Sequence, residues 1–258
     1  KAAFEKLVGQ LEKRYDSREA VNIARIVFED AFGWEKHPDD QPFREADQLS
    51  RLTHQLLQGV PWQYVLGHAD FYGKQWRVDS SVLIPRPETE ELVHWVLQMR
   101  EAYAYPRVLD IGSGSGIIAG TLAGEWPEAE VWGMEVSEAA LEVSRENAAR
   151  LGVEVKWLQD SILSPVRNWP VFDIIVSNPP YILQRERHRM PRHVLEHEPV
   201  LALFVEGQDP LLFYDRILAF ARHHLSEEGA VFFEINEFNK EKIELLFRRR
   251  RWEVEYRR

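Results

Sequence analysis

The sequence predicts an α/β fold, a parallel sheet covered by helices and preceded by a small helical unit. Three observations carry this expectation. From Pro106 onward, β-branched runs alternate with segments of helical period, the pattern of a parallel sheet with both faces covered. The first of those runs, RVLDI, ends in the glycine-rich loop GSGSG and opens directly into a helix. Over residues 1–60 the apolar positions instead repeat at helical spacing.

Taken in chain order, KAAFEKLVGQLEKR reads as a charged amphipathic helix and not as a signal peptide. In DSREAVNIARIVFEDAFG, Asp16 caps a helix with Glu19 three residues on, and Ala20, Ile23, Ala24, Val27 and Phe28 share one face up to Gly33. Leu49, Leu52 and Leu56 continue the helical theme before Gly59. Residues 61–84 lose that period and carry aromatic and β-branched residues around Gly67 and Gly73, so a hairpin linker is expected. IPRPETEELVHWVLQM returns to helix. Strands are then expected at RVLDIG, EVWGMEV, VEVKWL and FDIIVS, with helices from Ile117 to Glu125 and Glu138 to Leu151 between them. After a loop over 182–207, a helix near 208–225, a strand AVFFEI, a helix near 239–249 and a final strand RWEVEY extend the plan. The domain boundaries are accordingly 1–60, 61–84 and 85–258.

Composition narrows the function. Hydrophobic residues at 45%, with 9 Trp, 8 Tyr and 13 Phe, supply a sizeable core and exclude a disordered chain. The absence of cysteine removes disulfides, thiolate metal sites and cysteine nucleophiles. No apolar run reaches the roughly 18 residues of a membrane span, so a soluble, cytoplasmic protein is expected. A net charge of -10 argues against generic binding to nucleic acid. The acidity is regional: 11 basic residues face 13 acidic ones in 1–80, 14 face 25 in 81–240 and 7 face 4 in 241–258. His188, His193 and His197 lack supporting metal-ligand spacing and read as a solvated loop, so no metal is expected. The run FRRRRW reads as a solvated basic helix end.

In VLDIGSGSG, Gly112, Gly114 and Gly116 permit bends and close backbone approach. Their GxGxG spacing misses the dinucleotide fingerprint, because Ala119 stands three beyond Gly116. A nucleoside cofactor without a pyrophosphate fits better, and Asp110 beside the loop suits the cationic end of S-adenosylmethionine. Glu135 ends the second strand, where a carboxylate can accept from both ribose hydroxyls, although an exposed surface charge is the plainer alternative. Asp160 follows the third strand and could receive an adenine amino group, or could cap a turn. SNPPYI, directly after the fourth strand, makes a rigid rim of acceptors, because Pro179 and Pro180 lack N–H groups. A planar NH2 could place its two N–H bonds on the Asn178 side-chain oxygen and the Pro179 carbonyl, with Tyr181 packed over the plane. Asn178 would then border the donor site as well as the acceptor. Either a side-chain amide or the exocyclic amine of a base meets this description.

With VLDIGSGSG, SNPPYI and IPRPETEELV in hand, the sequence resembles the protein-(glutamine-N5) methyltransferases that modify peptide chain release factors. PWQYVLGHADFYGKQWRV at 61–78 and EHEPVLAL at 196–203 extend the likeness over nearly the whole chain. The resemblance implies a helical N-terminal domain that binds the release factor, a hairpin linker and a Rossmann-like class I methyltransferase domain of seven strands. It implies methyl transfer from S-adenosylmethionine, with S-adenosylhomocysteine as product, to the glutamine of the Gly-Gly-Gln motif in class 1 release factors. A monomer with no stable nucleic-acid or membrane partner is expected. Asn178, Pro179 and Tyr181 match the family's acceptor pocket, and Asp110, Gly112, Gly114, Glu135 and Asp160 its donor pocket. Arg86 and Thr89 match a segment lining the approach and are assigned no chemical step. Glu135 stands where Asp is commoner, and EINEFN at 234–239 lacks the usual glycine and glutamine. One central strand of the seven is expected to be missing after RWEVEYRR.

Overall fold

The structure, a computed structural model, describes residues 1–34 and 45–257. It divides into two compact units, one of residues 1–68 with 191–197 and the other of residues 69–190 with 198–258. Among the described residues no helix is long and apolar enough to cross a membrane.

The smaller unit is helical: α1 (Ala2–Leu11), α2 (Ser17–Phe32), α3 (Ala46–Leu57) and α4 (Trp62–Leu66). Helix α2 starts and stops where its caps dictate. The Asp16 carboxylate accepts from the Glu19 N–H at 2.9 Å, and Gly33 closes the helix in the left-handed conformation. Leu7, Leu11, Ala24, Val27 and Leu56 form the core between these helices. The sequence reading missed α4, which Pro61 opens and left-handed Gly67 ends. Five residues are too few to show a helical period.

In the larger unit, strands β1 (His68–Phe71) and β2 (Lys74–Arg77) form the expected hairpin. Its tight turn places Tyr72 and Gly73 at φ 51° and 69°. Helix α5 (Pro87–Leu97) leads to β3 (Arg107–Ile111), α6 (Ile117–Glu125), β4 (Glu130–Glu135), α7 (Glu138–Leu151), β5 (Lys156–Gln159) and β6 (Phe172–Ser177). The predicted loop 182–207 is instead a chain of short elements: β7 (Ile182–Leu183), a 3-10 turn at Gln184–Arg189, α8 (Arg192–His197), which belongs to the smaller unit, α9 (Val200–Leu203) and β8 (Phe204–Val205). Helix α10 (Leu212–His224), strand β9 (Leu225–Phe233) and helix α11 (Lys240–Arg249) complete the order.

Among the described residues the main sheet has five strands in the order β5-β4-β3-β6-β9, all parallel. Alternation along β3 sends Val108 to one face, with Ile118, Leu122, Val93 and Val96, and Leu109 and Ile111 to the other, with Ile217, Phe220 and Trp169. Both faces are therefore covered. The expected strand RWEVEY is not one. Arg251 turns at φ 61°, the Trp252 N–H donates back to the Phe247 carbonyl, and Trp252 and Val254 pack on Tyr214, Ile243 and Phe247. Its alternating apolar residues report packing without a ladder, so the sheet falls short of the seven strands implied by the resemblance. Arg258 lies outside the described residues.

Candidate functional site

The strand order reverses between β3 and β6. From β3 the chain winds outward through β4 to β5, then returns to lay β6 on the other side of β3. The crevice beyond the carboxyl ends of two such strands is where open α/β sheets hold ligands. A cavity opens there, with Gly112, Gly114, Glu135, Asp160, Asn178 and Pro179 among its lining residues. The Ser177 hydroxyl donates to the Ile111 carbonyl at 2.7 Å and locks the two strand ends together.

Gly112 and Gly114 stand at φ 77° and 55°, and a Cβ on either would meet open space. Their backbone thus faces the cavity bare, as close approach of a ligand requires. Gly116 differs: its Cβ would come within 2.9 Å of the Trp157 ring and 3.0 Å of Ser144 Cβ. It seats the first turn of α6 and is absent from the cavity wall. Helix α7 holds the loop from beneath. Ser144 donates to the Gly114 carbonyl at 2.9 Å, and the Asn147 amide donates to the carbonyls of Ser115 and Arg77, both at 2.9 Å. No sequence motif marked Asn147.

The three predicted acidic residues take three different places. Glu135 reaches the wall, with Oε1 accepting from the N–H groups of Val136 and Ser137 and Oε2 from that of Gly114 at 3.0 Å. A carboxylate has about four acceptor positions, so one on Oε2 is left for a ligand hydroxyl, where two hydroxyls were expected. Asp160 lines the cavity too, but its oxygens are taken by the N–H groups of Ser161, Val166 and Arg167 and by Trp169 Nε1 at 2.8 Å. Burial pushes its pKa up, yet these hydrogen bonds outweigh burial and hold the carboxyl below its usual range. The turn-capping alternative is what its geometry matches. Asp110 is fully buried behind the glycine loop and is absent from the wall. Its Oδ2 accepts from the Ala119 N–H at 3.2 Å, while Oδ1 has no hydrogen-bond partner among the described residues. Burial pushes its pKa up to about 7, against the hydrogen bonds from Ser113 and Ala119, and the charge of Glu135 adds to the rise.

On the other side of the crevice, Asn178 follows β6, and its Nδ2 donates to the Thr89 hydroxyl at 3.3 Å. Thr89 in turn donates to Glu234 Oε2 at 2.7 Å. Tyr181 packs on the cluster of Tyr214, Leu218, Ile243 and Phe247. Its hydroxyl pKa is raised by burial first, then by Glu234 and Glu88, with Arg86 opposing. Arg86 Nη2 spans both oxygens of Glu198, at 2.6 and 2.8 Å, and the Glu198 side chain is 1% exposed. That pair pins the segment before α5 to the one before α9; Val82, Leu83 and Pro199 from these two segments, with Leu201 of α9, line the cavity. Thr89, Glu198 and Glu234 are the site residues that sequence reasoning left without a role.

Comparison with known proteins shows the family. The family model for the methyltransferase small domain matches residues 91–208. A release factor glutamine methyltransferase of Flavobacterium psychrophilum is 44% identical over 250 residues, covering 93% of this chain and 87% of that one. The chain belongs to the release factor glutamine methyltransferases. Two further members, from Bacteroides thetaiotaomicron and Bacillus anthracis, are 42% and 40% identical, each covering 74% of this chain and 68% and 69% of their own lengths. For a release factor glutamine methyltransferase the arrangement is chemically coherent: bare backbone and a carboxylate on one side of the crevice, an amide oxygen on the other. Among the described residues no group of three or more His, Asp or Glu is placed to hold a metal ion.

Proposed function

We propose that this chain transfers a methyl group from S-adenosylmethionine to the side-chain amide nitrogen of the glutamine in the Gly-Gly-Gln motif of class 1 release factors. The observation that carries the reading is the meeting of Asn178 with Gly112, Gly114 and Glu135 around one cavity at the switch point of the sheet. The donor supplies an electrophilic methyl group. Gly112 and Gly114 receive it by backbone, and Glu135 offers its open acceptor position to a ribose hydroxyl. Buried behind them, the Asp110 carboxyl gains from any positive charge brought into the cavity, because such a charge favours its ionised form.

An amide nitrogen is a poor nucleophile, since its lone pair is shared with the carbonyl. The work of the residues is therefore orientation. With Nδ2 turned to Thr89, Asn178 presents Oδ1 to one substrate N–H, and the Pro179 carbonyl takes the other, aiming the nitrogen in line with the methyl group. Tyr181 packs on the amide plane. The nitrogen sheds a proton during or after direct transfer, and no covalent enzyme intermediate is needed. An exocyclic amine of a base would offer the same planar NH2, but family membership and the net charge of -10 favour glutamine.

A release factor is far larger than the cavity, so residues 1–60 are assigned to its recognition, 61–84 to a linker and 85–258 to methyl transfer. The protein acts as a monomer in the cytoplasm, where termination takes place. Incubation with labelled S-adenosylmethionine and a class 1 release factor, followed by mass mapping, should find one added methyl on the Gly-Gly-Gln glutamine. Label on another residue, or on nucleic acid alone, would overturn the reading.

A further inference from the structure

The chain Asn178–Thr89–Glu234, buried at Thr89 and half-buried at either end, joins three distant stretches of sequence. Asn178 follows β6, Thr89 sits in the first turn of α5 and is 2% exposed, and Glu234 follows β9. Main-chain bonds hold Glu234 in place. Its N–H donates to the Ser177 carbonyl at 3.1 Å, which continues the β6–β9 ladder, and its carbonyl accepts from the Tyr214 hydroxyl at 3.0 Å. Glu234 is thereby fixed beside the residue that precedes Asn178.

A carboxamide has two ends of opposite polarity and nearly the same shape, so rotating it by half a turn exchanges an acceptor for two donors. In methyl transfer to an amide nitrogen only the oxygen end is useful, because the acceptor group brings N–H bonds. Thr89 has one hydroxyl proton. Committed to Glu234 Oε2, that proton leaves the Thr89 oxygen free to accept, which selects the NH2 end of Asn178. We propose that Thr89 and Glu234 are positioning residues that set the polarity of the Asn178 carboxamide and keep its Oδ1 turned to the substrate nitrogen.

This inference rests on the proposed amide acceptor and deepens it. It also carries a pH dependence. If Glu234 takes up a proton, its own O–H can donate to Thr89; the Thr89 proton then seeks an acceptor, and the Asn178 oxygen is the one at hand. The amide would turn and present N–H to N–H. The groups facing Glu234 are Glu88 and Arg86 beside Thr89, Tyr181 after β6 and Tyr214 on α10. Burial is the largest influence on Glu234 and raises its pKa; Glu88 adds to the rise, while Thr89, Asn178 and Arg86 oppose it. An acid limb in turnover should therefore lie above the ordinary glutamate range.

The test uses the full chain, a class 1 release factor and S-adenosylmethionine. Thr89→Val keeps the shape and removes the hydroxyl; kcat should fall at least about tenfold, the worth of one directed hydrogen bond. Affinity for S-adenosylhomocysteine, measured by calorimetry, should stay within about twofold of wild type. Thr89→Ser should restore kcat to within about threefold. In Glu234→Gln the acid limb of the kcat profile should flatten. Wild-type turnover in Thr89→Val, or an equal loss of S-adenosylhomocysteine affinity there, would overturn the proposal. Should Thr89→Val fail to fold, an unrescued Thr89→Ser or an unchanged acid limb in Glu234→Gln would overturn it instead. A wild-type protein that leaves the release factor unmodified would refute the proposed function, whereas an active wild type with indifferent variants would refute this inference alone.

Discussion

The two walls of the crevice are built in different ways. On the donor side, Glu135 is held by Gly114, Val136 and Ser137, and the glycine loop turns within a few residues of β3. Backbone groups do most of the work, with Ser144 and Asn147 of α7 bracing the loop from beneath. On the acceptor side, Thr89 meets Asn178 across 89 positions and Glu234 across 145, and Arg86 meets Glu198 across 112. Those contacts exist only after the sheet has assembled. A wall made of local turns tolerates change in its surroundings, while a wall made of long-range side-chain pairs depends on the whole unit.

The sharpest way to test this division is to cut each wall at one residue and ask whether donor binding or turnover responds. Asn178→Ala should give the largest effect. It removes the acceptor oxygen and should lower kcat by about two to three orders of magnitude, the range for one preorganised hydrogen-bonding group. Binding of S-adenosylhomocysteine should persist, because the glycine loop and Glu135 are untouched. Full turnover in a methylation assay would sink the role given to Asn178.

Asp110 comes next and belongs to the donor side. Its carboxyl titrates near 3.8 when unfolded and near 7 when folded, so between these values the folded state holds the extra proton. The stability it contributes is complete below about pH 4, falls as pH rises and is gone above 7. Asp110→Asn cannot titrate. Its stability relative to wild type should therefore grow between pH 5 and pH 8, by on the order of 2 kcal/mol. Thermal melts of both proteins at the two pH values decide the point, and a constant gap would mean that the buried carboxyl is compensated by something else.

The same division explains what the sequence made legible. Helices α6 and α7 and strand β6 occupy the residues that periodicity predicts, and the Asp16 and Gly33 caps bound α2, because caps and apolar period act through neighbours. GSGSG and SNPPYI stood out for the same reason. Glu234 did not, since EINEFN offers no local signal that one glutamate will close on a threonine of α5. Asp160 and Asp110 show the opposite case. Their places at the ends of strands suggested ligand contact, but the four donors around the first and the complete burial of the second are tertiary facts. The final RWEVEY misled because alternation records a half-buried face, not a partner strand.

Glu135→Gln is the donor-side counterpart of the Asn178 cut and should be milder. The new NH2 group is a donor, so the backbone N–H it faces, at Gly114 or at Val136 and Ser137, loses its acceptor and meets another donor. Donor affinity should drop about tenfold, and kcat at saturating donor should stay near wild type. A fall in kcat without a change in affinity would show that the two walls are not separable in the way their construction suggests.

Arg86→Lys should have the smallest effect. Arg86 uses one nitrogen, Nη2, for both Glu198 oxygens, so the planar fork that distinguishes arginine is not engaged here. A lysine ammonium can reach the same two oxygens, and the Ile84 N–H still donates to Glu198 at 3.4 Å. Glu198 keeps a positive partner despite its burial, which avoids the large penalty of an uncompensated interior charge. The shorter reach of lysine should loosen the wall between Leu83 and Pro199 slightly. The expected result is a rise of about threefold in KM for the release factor, with donor affinity and kcat unchanged. A matching loss of donor affinity would place Arg86 in the shared frame of the crevice and blur the boundary between its walls.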